Sequence, residues 1–487
     1  MKLLAMLSAL PGAELVPPGS DPEIRRVVHD SRRVCPGDLF FAIRGEKADG
    51  LEHVAEAISR GAVAVAAEAP APRGVTVPWV RVPQARRALA LAAARLAGDP
   101  AEKLVLAGVT GTNGKTTTAL LLQSLLARRF GEAAFLGTIG YRIGRRELPA
   151  DRTTPDATLL QDLLAQAVRE GIPAASMEVS SHALALDRVE GCRFDLTVFT
   201  NLTRDHLDFH RDMEGYYGAK RRLFDLRKSG ATAVVNAADP FGRRLAGEIG
   251  GRVLTYSAAG AGADVLAESA HCDLSGTSFD AVSPAGRFRV TSPLLGRFNV
   301  DNLLAAAAGG LALGLPPEEV AAGLAAVRSV PGRLERIEAG QPYAILVDYA
   351  HTEDALSRLL SAVRELTDRK IILVFGCGGD RDRGKREPMG RVAGTRADIP
   401  IATSDNPRSE DPEAILSEVE RGLAASGATK YLRIADRREA IRAAIDLANP
   451  GTVVVLAGKG HETTQVIGDR EEPFDDRAVA AELASRR

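Results

Sequence analysis

The chain has 487 residues, more than one hydrophobic core usually supports, so two or three domains are expected. It is 45% hydrophobic and 26% charged, an ordinary globular balance that excludes wholesale disorder. Its 62 Lys and Arg against 63 Asp and Glu leave a formal net charge of -1, with no basic footprint for nucleic acid and no polybasic face for a membrane.

Met1 to Leu10 carries one early charge, Lys2, and an apolar stretch before Pro11-Gly12. A signal peptide would share that look. Leu3, Leu4, Leu7 and Leu10 nevertheless have the spacing of one helix face stopped by Pro-Gly, so an amphipathic first helix is expected. Up to about Asp99, short β-like runs at 38–43, 62–66 and 79–82 mix with Ala-rich helical stretches. A strand over 103–109 then runs into a glycine-rich turn and a helix from Lys115 to about Arg128. A helix over 156–170, strands at 174–178 and 194–200, a helix over 213–226, a strand at 231–236 and another helix follow. Such alternation predicts a parallel sheet covered by helices.

Polar and apolar residues alternate between 264 and 295, which predicts a small antiparallel excursion, and helices over 299–313 and 317–327 close the zone. Val330-Pro331-Gly332 has the composition of a hinge. Strands at 344–347, 371–375, 399–403, 431–434 and 453–457 predict a second parallel, Rossmann-like sheet. The expected fold is α/β with three domains: a small N-terminal α/β domain over 1–99, a central parallel-sheet P-loop domain over 100–329 and a C-terminal Rossmann-like domain over 330–487. No apolar run approaches the roughly 20 residues that span a bilayer. Cys35, Cys192, Cys272 and Cys377 are scattered without CxxC pairing and read as reduced thiols of a cytoplasmic protein.

The strongest local signal lies between the strand at 103–109 and the helix that follows. Gly108, Gly111, Gly114, Lys115 and Thr116 satisfy GxxGxxGK[ST], although Val109 breaks the strict GxxxxGK[ST] pattern. Glycines let backbone N–H groups close around phosphate oxygens, and the helix N-terminus adds partial positive charge. Lys115 is placed to reach the β- and γ-phosphates, and Thr116 to offer its hydroxyl to Mg2+. The bland alternative, a ligand-free glycine turn, does not call for Lys and Thr in that order.

From GTNGKTTT onward the sequence resembles the Mur ligase family, the ATP-dependent amide-forming enzymes of peptidoglycan precursor synthesis. The segments DSRRVCPGDLF from Asp30, MEVSSHAL from Met177, TNLTRDHLDFH from Thr200 and GYYGAKRRLF from Gly215 agree. So do GRFNVDNLLAA from Gly296, VPGRLERI from Val330, VDYAHTEDAL from Val347 and FGCGGDRDRGKR from Phe375. SDNPRSEDP from Ser404 and GKGHE from Gly458 complete a series in family order over essentially the whole chain.

The resemblance implies ligation of meso-diaminopimelate to UDP-N-acetylmuramoyl-L-alanyl-D-glutamate through an acyl phosphate, with ATP as co-substrate and Mg2+ as cofactor. A cytoplasmic monomer is expected, and the charge balance speaks against nucleic-acid or membrane partners. Gly111, Thr112, Asn113, Gly114, Lys115, Thr116 and Thr117 would hold the ATP phosphates. Asn299, Asn302, Arg333, Asp348 and His351 would contact the rest of the nucleotide, the last three closing over it from the third domain. Lys115, Glu178, His206 and Lys220 are the implied catalytic residues, and Thr116, Glu178, His206 and a carbamylated Lys220 the implied metal ligands.

Read alone, Glu178 is a solvated carboxylate, His206 a surface histidine, Lys220 one cation on an exposed basic helix, and Asn299 and Asn302 helix caps. Ser31, Thr153, Thr154, Ser180 and Arg188 match positions that hold the UDP-dipeptide, while Leu186 and Arg152 depart from the pattern. Arg381, Asp405, Asn406, Pro407, Arg408, Gly458 and Glu462 match the diaminopimelate site. There Arg408 would take the far carboxylate, and Asp405, Asn406 and Glu462 the ammonium. A relative that adds L-lysine, and a nucleotide-binding regulator without catalysis, remain the alternatives.

Overall fold

A computed structural model describes residues 1–16, 19–45, 48–260 and 262–486. The chain forms two compact units. One comprises Met1–Ala267, Ala281–Phe288 and Asp301–Leu324; the other comprises Glu268–Asp280, Arg289–Val300 and Ala325–Arg487.

The first unit contains two sheets. The N-terminal one has five strands in the order Glu14–Val16, Trp79–Arg81, Ala64–Ala67, Asp38–Ala42 and Arg26–Val28. All neighbours are parallel except the first pair. Alternation sends Leu39, Phe41, Ala64, Ala66 and Val80 to one face, where Ala88, Leu89 and Ala92 of the helix Ala85–Leu96 cover them. Phe40, Val65 and Trp79 face the other way. The first helix spans only Leu3–Leu7, and its buried residues are Leu3 and Met6, whereas Leu4 is 48% exposed. The expected leucine stripe is thus displaced: the helix ends before Pro11, and Leu10 is buried from a turn.

The second sheet runs Arg252–Ser257, Arg227–Asn236, Phe194–Phe199, Val105–Thr110, Ala174–Glu178, Ala133–Gly137, Gly140–Ile143 and Arg146–Leu148. It is parallel as far as Ala133–Gly137. The last two strands add an antiparallel hairpin that the sequence reading missed. Strand Val105–Thr110 sits in the middle, flanked by Phe194–Phe199 and Ala174–Glu178. Its first crossover leaves on one side and a later one returns on the other, which opens a crevice at the strands' carboxyl ends. Helix Lys115–Phe130 buries Leu121, Leu122, Leu125 and Leu126, stops at Gly131, and carries Arg128 and Arg129 in its last turn, where they suit the helix dipole. Strands Val265–Asp273, Gly276–Ser283 and Gly286–Ser292 occupy the segment whose alternation predicted them.

The second unit is built on a six-stranded sheet in the order Glu335–Ile337, Ala344–Asp348, Thr452–Ala457, Lys370–Cys377, Ile399–Ser404 and Leu432–Arg433. Five strands are parallel, as expected; the edge strand Glu335–Ile337 is antiparallel to its neighbour. Continuous apolar runs reflect burial on both faces. Ile371, Leu373 and Phe375 pack with Leu356, Met389 and Ile415, while Ile372 and Val374 pack with Ile441 and Val479. A hairpin, Thr464–Ile467 with Arg470–Pro473, was not foreseen. Among the described residues no helix is long and apolar enough to cross a membrane.

Candidate active site

The phosphate loop is braced by the strand end beside it. Thr112 N donates to Asn201 O at 2.8 Å and Asn113 N to Asn201 Oδ1 at 2.9 Å. Thr200 Oγ1 donates to Asn113 O at 2.6 Å, and Thr203 N to Thr112 Oγ1 at 3.0 Å. These residues follow strand Phe194–Phe199, so the loop's shape is set by the neighbouring strand end. Gly114 precedes the helix at φ +83, and a Cβ there would collide with Asn302 Oδ1. Glycine is required on both counts. Lys115 Nζ curls back to Gly111 O at 3.0 Å and Thr112 O at 2.9 Å, the loop's own carbonyls.

Glu178 ends its strand 1% exposed, so the solvated-carboxylate reading fails. Its Oε1 accepts from Thr138 N at 2.7 Å and its Oε2 from Thr138 Oγ1 at 3.3 Å. Lys220 also departs from the bland reading, because helix Met213–Asp225 turns it inward. It is 1% exposed, donates to Gly111 O at 2.7 Å, and lies 4.6 Å from the Tyr216 ring centroid. Burial, then the nearby charge of Lys115, push its ammonium well below the ordinary lysine range, opposed only by Asp205. A depressed amine is the form that reacts with CO2.

His206 does stand half-exposed, 3.5 Å from Asp205, at a left-handed φ of +52. It belongs to a ring cluster with His182 at 4.9 Å and Tyr216 at 6.1 Å. Behind it, His210 Nε2 meets Ser181 Oγ at 2.9 Å, tying the two histidine-bearing segments together. Sequence reading did not single out Asn201, Ser181 or His210, although all three lie inside the quoted motifs.

Thr154, Ser180 and Arg188 come together. Thr154 Oγ1 donates to Glu178 O at 2.9 Å and accepts from Ser180 N at 3.0 Å, while Arg188 Nη1 donates to Thr154 O at 3.4 Å. Thr153 joins through Thr138 Oγ1 at 3.1 Å. Burial, then the adjacent Arg152, lower the pKa of the Arg188 guanidinium, so the departure at Arg152 adds a cation beside this cluster. Ser31 lies in the N-terminal sheet region, donating to Glu56 Oε2 at 2.7 Å. Asn299 and Asn302 both fall inside helix Phe298–Ala312 rather than at its cap, and Asn299 Nδ2 donates back to Leu295 O at 2.7 Å.

In the second unit the loops after four parallel strands converge. Asp348 accepts from Leu334 N at 2.8 Å and Ala350 N at 2.9 Å, yet burial still raises its pKa. Arg333 sits 5.8 Å from the Tyr349 ring centroid, and His351 Nδ1 lies 2.8 Å from Tyr349 O. Asp405 and Asn406 are buried after strand Ile399–Ser404. Pro407 follows, and Arg408, at φ +52, donates from Nη1 to Gly379 O at 2.8 Å. Asp411, not this turn, caps the following helix, through Glu413 N at 3.1 Å. Gly458 has φ +117, and a Cβ there would stand 2.6 Å from Asp405 Oδ2.

Asn406 Oδ1 accepts from Val466 N at 3.0 Å and Lys459 Nζ at 3.2 Å, and its Nδ2 donates to Glu462 Oε2 at 3.0 Å. Among the described residues one N–H is left to offer, which suits a carboxylate rather than the expected ammonium. Arg381 is exposed on the Gly378–Gly379 loop.

Among the described residues no group of three or more His, Cys, Asp or Glu forms a ready metal site. The Thr116 hydroxyl and the Glu178 carboxylate are hard oxygen donors of the kind Mg2+ requires.

Central phosphate loop, inward carboxylate and lysine, and a second parallel sheet whose strand ends carry paired cations and carboxylates define an α/β enzyme of the phosphate-loop class. The chain belongs to the Mur ligase family. The Mur ligase middle domain matches residues 109–310, the Mur ligase glutamate ligase domain 332–460, and the Mur ligase family catalytic domain 23–96. The UDP-N-acetylmuramoyl-L-alanyl-D-glutamate–2,6-diaminopimelate ligase of Solibacter usitatus (strain Ellin6076) is 47% identical over 96% of this chain and 95% of its own. The ligase of that name from Geobacillus thermodenitrificans (strain NG80-2) is 45% identical over 100% of both chains. A solved structure of such a ligase superposes with a TM-score of 0.73 at 36% identity, covering 95% of each chain.

Proposed function

We propose that this protein is the ATP-dependent ligase that joins meso-diaminopimelate to UDP-N-acetylmuramoyl-L-alanyl-D-glutamate in the cytoplasm. The observation that carries the reading is one cluster at the ends of strands Ile399–Ser404 and Thr452–Ala457. Asp405, Asn406, Arg408 and Glu462 gather there, in a chain 47% identical to a ligase for 2,6-diaminopimelate. Residues 1–99 serve the UDP portion, 100–329 the ATP phosphates, and 330–487 the incoming amino acid.

A D-Glu carboxylate oxygen attacks the γ-phosphorus of ATP and ADP leaves, giving an acyl phosphate; the neutral amine then attacks its carbonyl carbon, and inorganic phosphate leaves as the nitrogen loses a proton. Gly111, Thr112, Asn113, Gly114, Thr116 and Thr117 cradle the phosphates, and Lys115 leaves its loop carbonyls for phosphate oxygens. Asn299, Asn302, Arg333, Asp348 and His351 hold the remainder of the nucleotide. Ser31, Thr153, Thr154, Ser180 and Arg188 hold the UDP-dipeptide. Thr116, Glu178, His206 and a carbamylated Lys220 would hold Mg2+, which when bound would neutralise charge developing on the phosphates. Lys220 contributes by exchanging a buried cation for an oxygen ligand.

Arg408 and the free Asn406 N–H take the far carboxylate, Asp405 and Glu462 the ammonium, and Arg381, Pro407 and the Gly458 backbone complete the pocket. ATP hydrolysis measured with the UDP-dipeptide and, in turn, diaminopimelate, L-lysine and D-alanyl-D-alanine tests the reading. Turnover should require diaminopimelate; equal or faster turnover with lysine would replace the substrate, and no turnover with any amine would leave a regulator.

A further inference from the structure

Lys459 has no role in the chemistry above, yet it is wholly buried at 0% exposure beneath the amine site. A lysine is rarely buried unless its head group is paired. Here the three ammonium hydrogens have three acceptors: Thr464 O at 2.6 Å, Asn406 Oδ1 at 3.2 Å and Glu462 Oε2 at 3.2 Å. Two of these belong to side chains assigned to diaminopimelate, one on each converging loop.

The contacts fix orientation as well as place. Lys459 Nζ and Val466 N can only donate, so the Asn406 carbonyl must face them and its amide nitrogen must face Glu462. The amide therefore has one allowed flip. Glu462 Oε2 receives both Lys459 and Asn406, which leaves Oε1 as the oxygen for a substrate ammonium. Without Lys459, Glu462 keeps one donor from Asn406 and regains rotamer freedom, and among the described residues Asn406 keeps Val466 N alone as a donor to its oxygen.

We propose that Lys459 is a positioning residue for the amine substrate, acting through the Asn406 amide and the Glu462 carboxylate. This deepens the diaminopimelate reading and rests on it. Preorganised polar groups lose less on binding than groups that must be ordered, so the effect belongs to amine binding rather than to ATP or the UDP-dipeptide.

The test is steady-state kinetics of the full-length enzyme with each substrate varied, for Lys459→Met, Glu462→Gln and the double variant, with thermal melts alongside. Lys459→Met should raise KM for diaminopimelate by about 10- to 100-fold, while KM for ATP and for the UDP-dipeptide stays within about twofold. The double variant should lose much less than the product of the single losses, because the two residues act through one contact. If Lys459→Met does not fold, Lys459→Gln takes its place with the same expected split. Equal rises in all three KM values, or multiplicative single losses, overturn the proposal. A Glu462→Gln variant with unchanged diaminopimelate KM instead removes the underlying site assignment. If Glu462→Gln raises that KM and Lys459→Met does not, the assignment stands and only the role of Lys459 fails.

Discussion

Lys115 and Lys220 donate to the same carbonyl oxygen, that of Gly111, at 3.0 and 2.7 Å. Burial first, and then repulsion from Lys115 on the shared acceptor, push Lys220 toward its neutral form. Phosphate would draw Lys115 away, and a carbamate would reverse the sign of Lys220.

Lys115→Ala is expected to lower kcat by at least about 100-fold, because removing a preorganised charge at the reacting phosphate costs about that much. Lys220→Ala is expected to be nearly inactive as well, but the two should differ on rescue. Added short-chain carboxylic acids should restore part of the Lys220→Ala rate and none of the Lys115→Ala rate. Kinetics with and without acetate measures this. An unmodified Lys220 in a crystal of active enzyme would remove the carbamate role.

A second expectation concerns a buried ion pair that sequence reading did not find. Arg437 and Asp476 are both 0% exposed at the side chain and joined at 2.6 and 2.7 Å. Arg437 also donates to Ala457 O at 3.0 Å and Ser404 O at 3.4 Å, the ends of the two strands that carry the amine-site loops. Asp476→Ala leaves a buried cation unpaired, which costs about 3–5 kcal/mol. Joint replacement by Arg437→Met and Asp476→Leu should cost less than the single change, and urea melts of both variants decide it.

The cysteines offer a third check. Cys192 and Cys377 are buried, and burial pushes each thiol up to about 12, so neither presents a thiolate near neutral pH. Cys35 is exposed. Iodoacetamide on the native protein at pH 8, read by peptide mass spectrometry, should modify Cys35 and leave Cys192 and Cys377 intact until denaturant is added.

Local signals carried the sequence reading far. Strand 174–178 and the helix beginning at Lys115 were legible because an apolar run or a glycine turn marks each boundary. The hairpin 140–148 was not, since Arg142, Arg145, Arg146 and Glu147 break any alternation and only pairing with Phe135 and Leu136 makes it a strand. Lys220 looked solvated beside Arg221 and Arg222; burial of one cation among three is decided by helix phase against the sheet. Arg437 and Asp476 lie 39 residues apart, so no spacing rule joins them. Lys459 sat within a recognised motif, but its role needed the positions of Asn406 and Glu462.

The choice of amine gives the last expectation. Diaminopimelate is lysine with one more carboxylate at its far end, so a discriminating site must reward that charge. Arg408 Nη1 is held by Gly379 O at 2.8 Å, which aims the guanidinium while leaving its other donors for a ligand. Its backbone is pinned too: Arg408 N donates to Val466 O at 3.0 Å, and Arg408 O accepts from Gly468 N at 2.7 Å. The missed hairpin is therefore the brace for this residue. Leaving a substrate carboxylate unpaired in a closed site costs about 2–5 kcal/mol, which is tens- to thousands-fold in affinity. Arg408→Ala should raise KM for diaminopimelate by that order while leaving KM for ATP unchanged. Lysine lacks the carboxylate and should be hurt far less, so the ratio of kcat/KM between the two amines should collapse toward one. Measuring both amines in wild type and variant decides it: an unchanged ratio would show that discrimination resides elsewhere than Arg408.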